Sequence, residues 1–179
     1  ALNGTIFDDE MNFDFFRDEM RRYYSNIVGK YSKQAAKALE KVKALDIKVI
    51  CPVHGIVWRT HPNMIIDEYI RLANQVNEEG VVIAYGSMYG NTEKMADTLA
   101  RYLAEEGISN VKVFDVSKTH VSYILSEIWK YKGFILGSCT YNNSVYPNVN
   151  QLLYTLRMNK LSNHILGIFG SYGWSGGAV

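Results

Sequence analysis

Apolar residues recur along this chain with two different periods, and the change from one to the other near residue 80 divides it in two. In the first part the spacing is helical. Phe13, Phe16, Met20, Tyr23, Tyr24 and Ile27 share one face and predict a helix over 13–27, with Asp14 and Asp18 early and Arg21 and Arg22 late, as the helix dipole favours. Gly29 is expected to break it. A second helix is predicted over 31–45, with Ala35, Ala36, Leu39, Val42 and Leu45 inward, and a third over 65–76. Between them, 47–51 reads as a short buried strand stopped by Pro52, followed by a polar and aromatic loop over 53–62.

In the second part, continuous apolar runs at 81–85, 111–116, 134–137 and 165–169 alternate with helical patterns. Met95, Ala96, Leu99, Ala100 and Leu103 form the stripe of the first of these helices, which Gly107 ends. Further helices are predicted over 121–131 and 149–158. Strands that alternate with helices make a parallel sheet with helices on both faces. The polar run Asn77-Glu78-Glu79-Gly80 is the joint, so two units are expected, 1–78 and 79–179.

Composition narrows the classes. A net charge of +1, from 19 basic and 18 acidic residues, offers no basic patch for nucleic acid. No apolar run approaches the ~20 residues of a membrane helix, and Ala1-Leu2-Asn3-Gly4 lacks the basic start and apolar middle of a signal peptide. Cys51 and Cys139 belong to no paired motif, so reduced thiols in a cytoplasmic protein are expected.

The turn after the first of these apolar runs carries candidate chemistry. Residues 81–92 read Val-Val-Ile-Ala-Tyr-Gly-Ser-Met-Tyr-Gly-Asn-Thr: strand, small-residue loop, helix start. The N–H groups of a first helical turn and the helix dipole make such a turn an anion site. A mononucleotide loop needs a lysine before its Ser/Thr, and a dinucleotide loop needs G-x-G-x-x-G. Here only Gly86 and Gly90 fit, and no Lys or Arg lies between Tyr85 and Glu93. The segment Ser87, Met88, Tyr89, Gly90, Asn91, Thr92 offers hydroxyls, an amide and backbone N–H groups, donors suited to a terminal phosphate monoester held without a countercharge. Taken alone, it is equally an ordinary strand-to-helix turn.

Two later loops leave strand ends near the point where the order of such a sheet reverses. One is Ser138-Cys139-Thr140-Tyr141-Asn142-Asn143; the other is Ser171-Tyr172-Gly173-Trp174-Ser175-Gly176-Gly177. Tyr141 and Trp174 can stack on a flat heteroaromatic ring. Asn142, Asn143 and backbone amides can reach its carbonyls and nitrogens, and the glycines allow a close backbone approach. A tryptophan set between glycines is a poor core residue, whereas Tyr141 is also readable as a common loop tyrosine.

These three loops, in this order, resemble the FMN site of flavodoxins. Gly-Ser-Met-Tyr-Gly-Asn-Thr-Glu-Lys-Met-Ala, Thr-Tyr-Asn-Asn and Gly-Ser-Tyr-Gly-Trp-Ser-Gly-Gly-Ala are more specifically similar to the flavodoxin module of flavodiiron proteins (A-type flavoproteins). Cys139 stands where many relatives have proline. In that family a metallo-β-lactamase-like domain with two non-haem irons precedes the flavodoxin module. Cys51-Pro52-Val53-His54-Gly55-Ile56-Val57-Trp58-Arg59 is similar to the segment that carries its last metal ligand, so the resemblance implies His54 as an iron ligand. His61, His120 and His164 gain no role from it. Asp8, Asp9 and Glu10 read as a solvated cap before the first helix rather than as ligands.

The resemblance implies a partial chain: the C-terminal part of the metallo-β-lactamase-like domain, then a flavodoxin-like doubly wound parallel sheet of order 2-1-3-4-5 that lacks its last strand and has one open edge. It implies FMN and a diiron centre whose other ligands lie outside the chain. It further implies electrons from a rubredoxin-like donor, a head-to-tail homodimer, and reduction of dioxygen to water or nitric oxide to nitrous oxide. Two rivals use only half of these features. A flavodoxin-like electron carrier has no use for the His54 segment, and a metal-dependent hydrolase of the lactamase fold has none for the three loops.

Overall fold

The structure is a computed structural model that describes residues 4–174 and 176–178. It divides into two compact units, Ala1–Val76 and Asn77–Val179.

The first unit holds three helices, α1 (Phe13–Tyr23), α2 (Ser32–Lys43) and α3 (Pro62–Ala73). Asn12 caps α1 by accepting the N–H of Asp14 at 2.9 Å. Gly29 does not break the chain's helical course. Its φ is −48°, and a π turn (Tyr24–Val28) and a 3-10 turn (Gly29–Tyr31) carry the backbone on towards α2. The buried Tyr24, bonded to Ser32 at 3.2 Å and packed edge-on against Tyr69, fixes that junction. Ile27, expected inward, is exposed because the π turn rotates it off the apolar face. Leu45, also expected inward, is exposed because α2 ends at Lys43, before it. The third helix starts and stops three residues before the expected bounds, since Pro62 takes the first helical position.

The strand expected over 47–51 does not form. Ile50 makes one antiparallel bridge to Trp58, and Val49 is 51% exposed. β-branched residues stay extended there without the neighbours a ladder needs.

The acidic trio is also not a solvated cap. Asp8 is buried and accepts the N–H groups of Arg59, Thr60 and His61, the shortest at 2.7 Å. Burial raises its carboxyl, but the three N–H bonds outweigh that and hold it below the ordinary carboxylate value. Asp9 pairs with Arg59, and Glu10 accepts from the N–H groups of Ile6 and Phe7.

The second unit is built on β1 (Glu78–Gly86), β2 (Val111–Asp115), β3 (Tyr131–Tyr141) and β5 (Ile165–Ser171), all parallel in the order β2-β1-β3-β5. The two-residue β4 (Ser144–Val145) turns back antiparallel on β3. The helices are α4 (Asn91–Glu105), α5 (Val121–Lys130) and α6 (Pro147–Met158). The fold is flavodoxin-like: a doubly wound α/β sheet with helices on both faces.

Side chains alternate along β1. Ile83 and Tyr85 pack with Ala96, Leu99 and Leu103 on the α4 face. Gly86 meets Tyr146 and Val149 on the other, where an added Cβ would lie 2.6 Å from the Tyr146 ring. Met95, expected in the buried stripe of α4, lies at its exposed margin. β1 starts at Glu78 rather than 81, because Gly80, at φ +154°, lets the backbone pass Tyr131 and the Asn110 carbonyl. β3 is longer than its apolar core, since its polar ends pair with β1 and β4. β5 pairs with β3 on one side and with no other described strand on the other. No helix among the described residues is long and apolar enough to cross a membrane.

Candidate functional site

Three turns leave the carboxyl ends of β1, β3 and β5, and hydrogen bonds between them draw them together. The first opens α4. Gly90 is its N-cap at φ +82°, a conformation that disfavours side chains with a Cβ, and its N–H donates to Ser87 Oγ at 3.1 Å. Thr92, one residue into the helix from Asn91, is fully buried, and its Oγ1 lies 2.8 Å from Ser171 Oγ at the end of β5. Met88, Tyr89 and Asn91 are exposed around them.

The second turn is a hairpin. Thr140 pairs with Val145 and Tyr141 with Ser144, leaving Asn142 and Asn143 as a two-residue loop, both left-handed at φ +48° and +56°. That is the type I′ arrangement in which asparagine is favoured. The two asparagines therefore carry a backbone role that the sequence reading, which gave them only ligand carbonyls to reach, missed. The signal was the pair of polar αL-tolerant residues between extended ones. Ser138 is buried, donates to the Cys139 carbonyl at 2.9 Å and accepts the Tyr146 N–H at 3.0 Å. Tyr146, which the sequence reading did not single out, stands edge-on to Tyr141 with ring centres 6.2 Å apart. Cys139 is buried in β3 and unpaired, as Cys51 is unpaired at the surface.

The third turn closes on the second. Gly177 N–H donates to Thr140 Oγ1 at 3.3 Å, and a Cβ on Gly177 would strike the Asn143 carbonyl at 2.4 Å. Tyr172 and Gly173 are exposed, Gly176 lies against the Tyr172 ring, and Trp174 is 96% exposed. Ser175 lies outside the described residues. The three turns thus carry exposed aromatic side chains, Tyr89, Tyr141, Tyr172 and Trp174, together with hydroxyl and N–H groups, and no lysine or arginine.

Comparison with known proteins places the second unit in a family. The flavodoxin family model matches residues 83–179. The chain belongs to the flavodoxin family. This flavodoxin-family chain is also 37% identical over 97% of its length to the anaerobic nitric oxide reductase flavorubredoxin of Vibrio vulnificus. Among solved structures it is similar to the rubredoxin oxygen:oxidoreductase of Desulfovibrio gigas, at 36% identity over 96% of its length with a TM-score of 0.91. It is likewise similar to the flavodiiron protein of Giardia intestinalis, at 27% identity and a TM-score of 0.90. The chain spans 36% of the length of the flavorubredoxin, 44% of the Desulfovibrio chain and 42% of the Giardia chain.

His54 belongs to the first unit of the flavodoxin-family chain. It is exposed, lies tilted against Tyr23 with ring centres 5.6 Å apart, and lines, with Phe16, Met20, Trp58 and Tyr69, an apolar hollow of about 260 Å³. Trp58, buried between the edges of Phe13 and Phe16, anchors its segment. Among the described residues no group of three or more His, Cys, Asp or Glu side chains is placed to hold a metal ion. One imidazole does not make a two-iron site, so the residues present do not fit a diiron centre by themselves. Two of the three remaining histidines act locally: His120 caps α5 through Ser122 N–H, and His164 bonds the Ile128 carbonyl.

Proposed function

We propose that this chain binds FMN across the carboxyl end of its sheet and serves as the flavin-bearing part of an oxidoreductase. Ser87, Met88, Tyr89, Gly90, Asn91 and Thr92 would hold the phosphate through hydroxyls and backbone N–H groups. Ser138, Cys139, Thr140, Tyr141, Asn142 and Asn143 would border one side of the ring. Ser171, Tyr172, Gly173, Trp174 and Gly176 would border the other. Bound there, FMN supplies one- and two-electron transfer; the chain's part is to grip, orient and tune the ring.

The observation that most supports this reading is the direct bonding of all three turns, Thr92 to Ser171 and Gly177 to Thr140. Both links are part-buried and join turns far apart in sequence, which three independent strand-to-helix turns do not require. The neutral donor set fits a phosphate monoester, and the exposed aromatic side chains fit a planar ring.

For the reaction, we propose reduction of nitric oxide or dioxygen with electrons from a rubredoxin-like protein, which the names of the relatives support. The products nitrous oxide and water, a cytoplasmic location and a head-to-tail homodimer are the expectations that the flavodiiron resemblance adds to this proposal. Its diiron centre would need ligands beyond His54. In this reading residues 1–78 are the C-terminal part of a metallo-β-lactamase-like domain and 79–179 the FMN-binding domain.

Titration of the flavin-free chain with FMN tests the flavin half. Saturation at one FMN per chain, with quenched tryptophan emission and a shifted flavin absorption band, is expected. An unchanged flavin spectrum at saturating chain overturns the reading.

A further inference from the structure

Within residues 85–93, which cover the strand end, the anion loop and the first turn of α4, the one charged side chain is Glu93. It sits three residues after the N-cap Gly90. A glutamate there ordinarily reaches back to the N-cap N–H, as in a capping box. Here that N–H is taken, because Gly90 donates to Ser87 Oγ at 3.1 Å. The Glu93 carboxylate still folds back over the turn, with one oxygen 3.9 Å from where a Cβ on Gly90 would stand. Its other oxygen accepts from Tyr85 Oη at 3.1 Å.

Tyr85 is 5% exposed and packed with Ile83 and Ala96, so its hydroxyl is a fixed point. Burial, and after it the bond to Glu93, pushes that hydroxyl well above the ordinary tyrosine range, and it remains a donor. The neighbouring cation, Lys118, binds Asp115 Oδ2 at 3.1 Å and acts on Glu93 through its charge, so the Tyr85 hydroxyl is the hydrogen-bonding anchor the structure gives that carboxylate.

A carboxylate so placed is an internal rival of a phosphate. The N–H groups of the first helical turn have no acceptor within the helix, and an anion of either kind is drawn to them. We propose that Tyr85 is a positioning residue for phosphate binding: its hydroxyl holds one oxygen of the Glu93 carboxylate, so that the carboxylate competes less for those N–H groups and the loop stays open to a phosphate monoester. The inference rests on the FMN reading above and names a residue that reading does not use.

The test uses the 179-residue chain with Tyr85→Phe, Glu93→Gln and the double variant, each titrated with FMN and with riboflavin, which has the same ring and no phosphate. Tyr85→Phe is expected to weaken FMN binding roughly tenfold and leave riboflavin binding unchanged. Glu93→Gln should bind FMN at least as tightly as the parent, and the double variant should return to within about threefold of it. An equal loss for FMN and riboflavin, or no rescue by Glu93→Gln, overturns the inference and reduces Tyr85 to a packing role. Parent and Tyr85→Phe chains that bind FMN equally well sink this inference alone. A parent chain that binds neither flavin sinks the FMN reading, and this inference falls with it.

Discussion

Thr92 Oγ1 and Ser171 Oγ, 79 positions apart in sequence, lie 2.8 Å from each other at the carboxyl end of the sheet. One hydroxyl pair thus ties the start of α4 to the end of β5. Thr92 is fully buried, and valine matches its shape without the hydroxyl. Thr92→Val is expected to lower the unfolding free energy by about 1–2 kcal/mol in urea titration. Combined with Ser171→Ala it should cost less than the sum of the two single changes, because each removes the same bond.

The pairing of β3 with β5 depends on a residue without a side chain. A Cβ on Gly137 would meet the outer edge of the Phe169 ring at 2.1 Å, so the ring must move aside. Gly137→Ala is expected to destabilise the chain by about 1–3 kcal/mol, as overpacking does. Gly137→Ala with Phe169→Leu should recover a measurable part of that loss in the same urea titration. Equal stability of the single variant and the parent would show that the strands part more easily than their contact implies.

Which parts of this molecule could be read from sequence follows from where each residue's partners lie. Val82, Ile83 and Ala84 are buried on both faces of one sheet, so their unbroken apolar run announces a central parallel strand. Val49 and Ile50 have the same local character, yet a strand also needs a neighbour, and the neighbour is not encoded locally. The three candidate loops were legible because glycines, hydroxyls and aromatics are poor core residues wherever they fall. The hairpin at Asn142 and Asn143 was hidden because the amides that suit a ligand also suit a left-handed turn. Asp8 was hidden for a different reason: its partners, the N–H groups of residues 59–61, are backbone and leave no trace in side-chain pattern.

Asp8 makes the stability of the first unit depend on pH in a definite direction. Its folded carboxyl is held below the ordinary value of 3.8: burial opposes this, and the N–H groups of Arg59, His61 and Thr60 prevail. A group depressed on folding contributes fully above its unfolded value, and the contribution is lost as pH falls through the folded one. Stability should therefore be flat near neutrality and fall below pH 3.8. Asp8→Asn should cost about 2 kcal/mol at pH 7 and flatten the acid limb. An acid limb unchanged in Asp8→Asn would assign it to other carboxylates.

The two roles open to Asn143 separate in one variant. At φ +56° its backbone is where glycine is at ease, and Asn-Gly is the favoured type I′ pair. Asn143→Gly should hold or raise stability by up to about 1 kcal/mol. If its amide also contacts the flavin ring, the same variant binds FMN several-fold more weakly. Undiminished affinity would restrict Asn143 to turning the chain.

The outer edge of β5 is the most exposed apolar strand surface described. Ile168 is 61% exposed, and Ile165 and Leu166 beside it are similarly bare. A strand edge paired with no other described strand can template pairing with another copy, and a lysine beside it disfavours that route. Ile168→Lys is therefore expected to reduce concentration-dependent association of the 179-residue chain in light scattering while leaving FMN affinity unchanged. The two readouts separate two possibilities. Reduced association with intact affinity identifies the edge as the contact between copies. Loss of affinity would mean that the strand carrying Ser171 holds its register only when that edge is apolar.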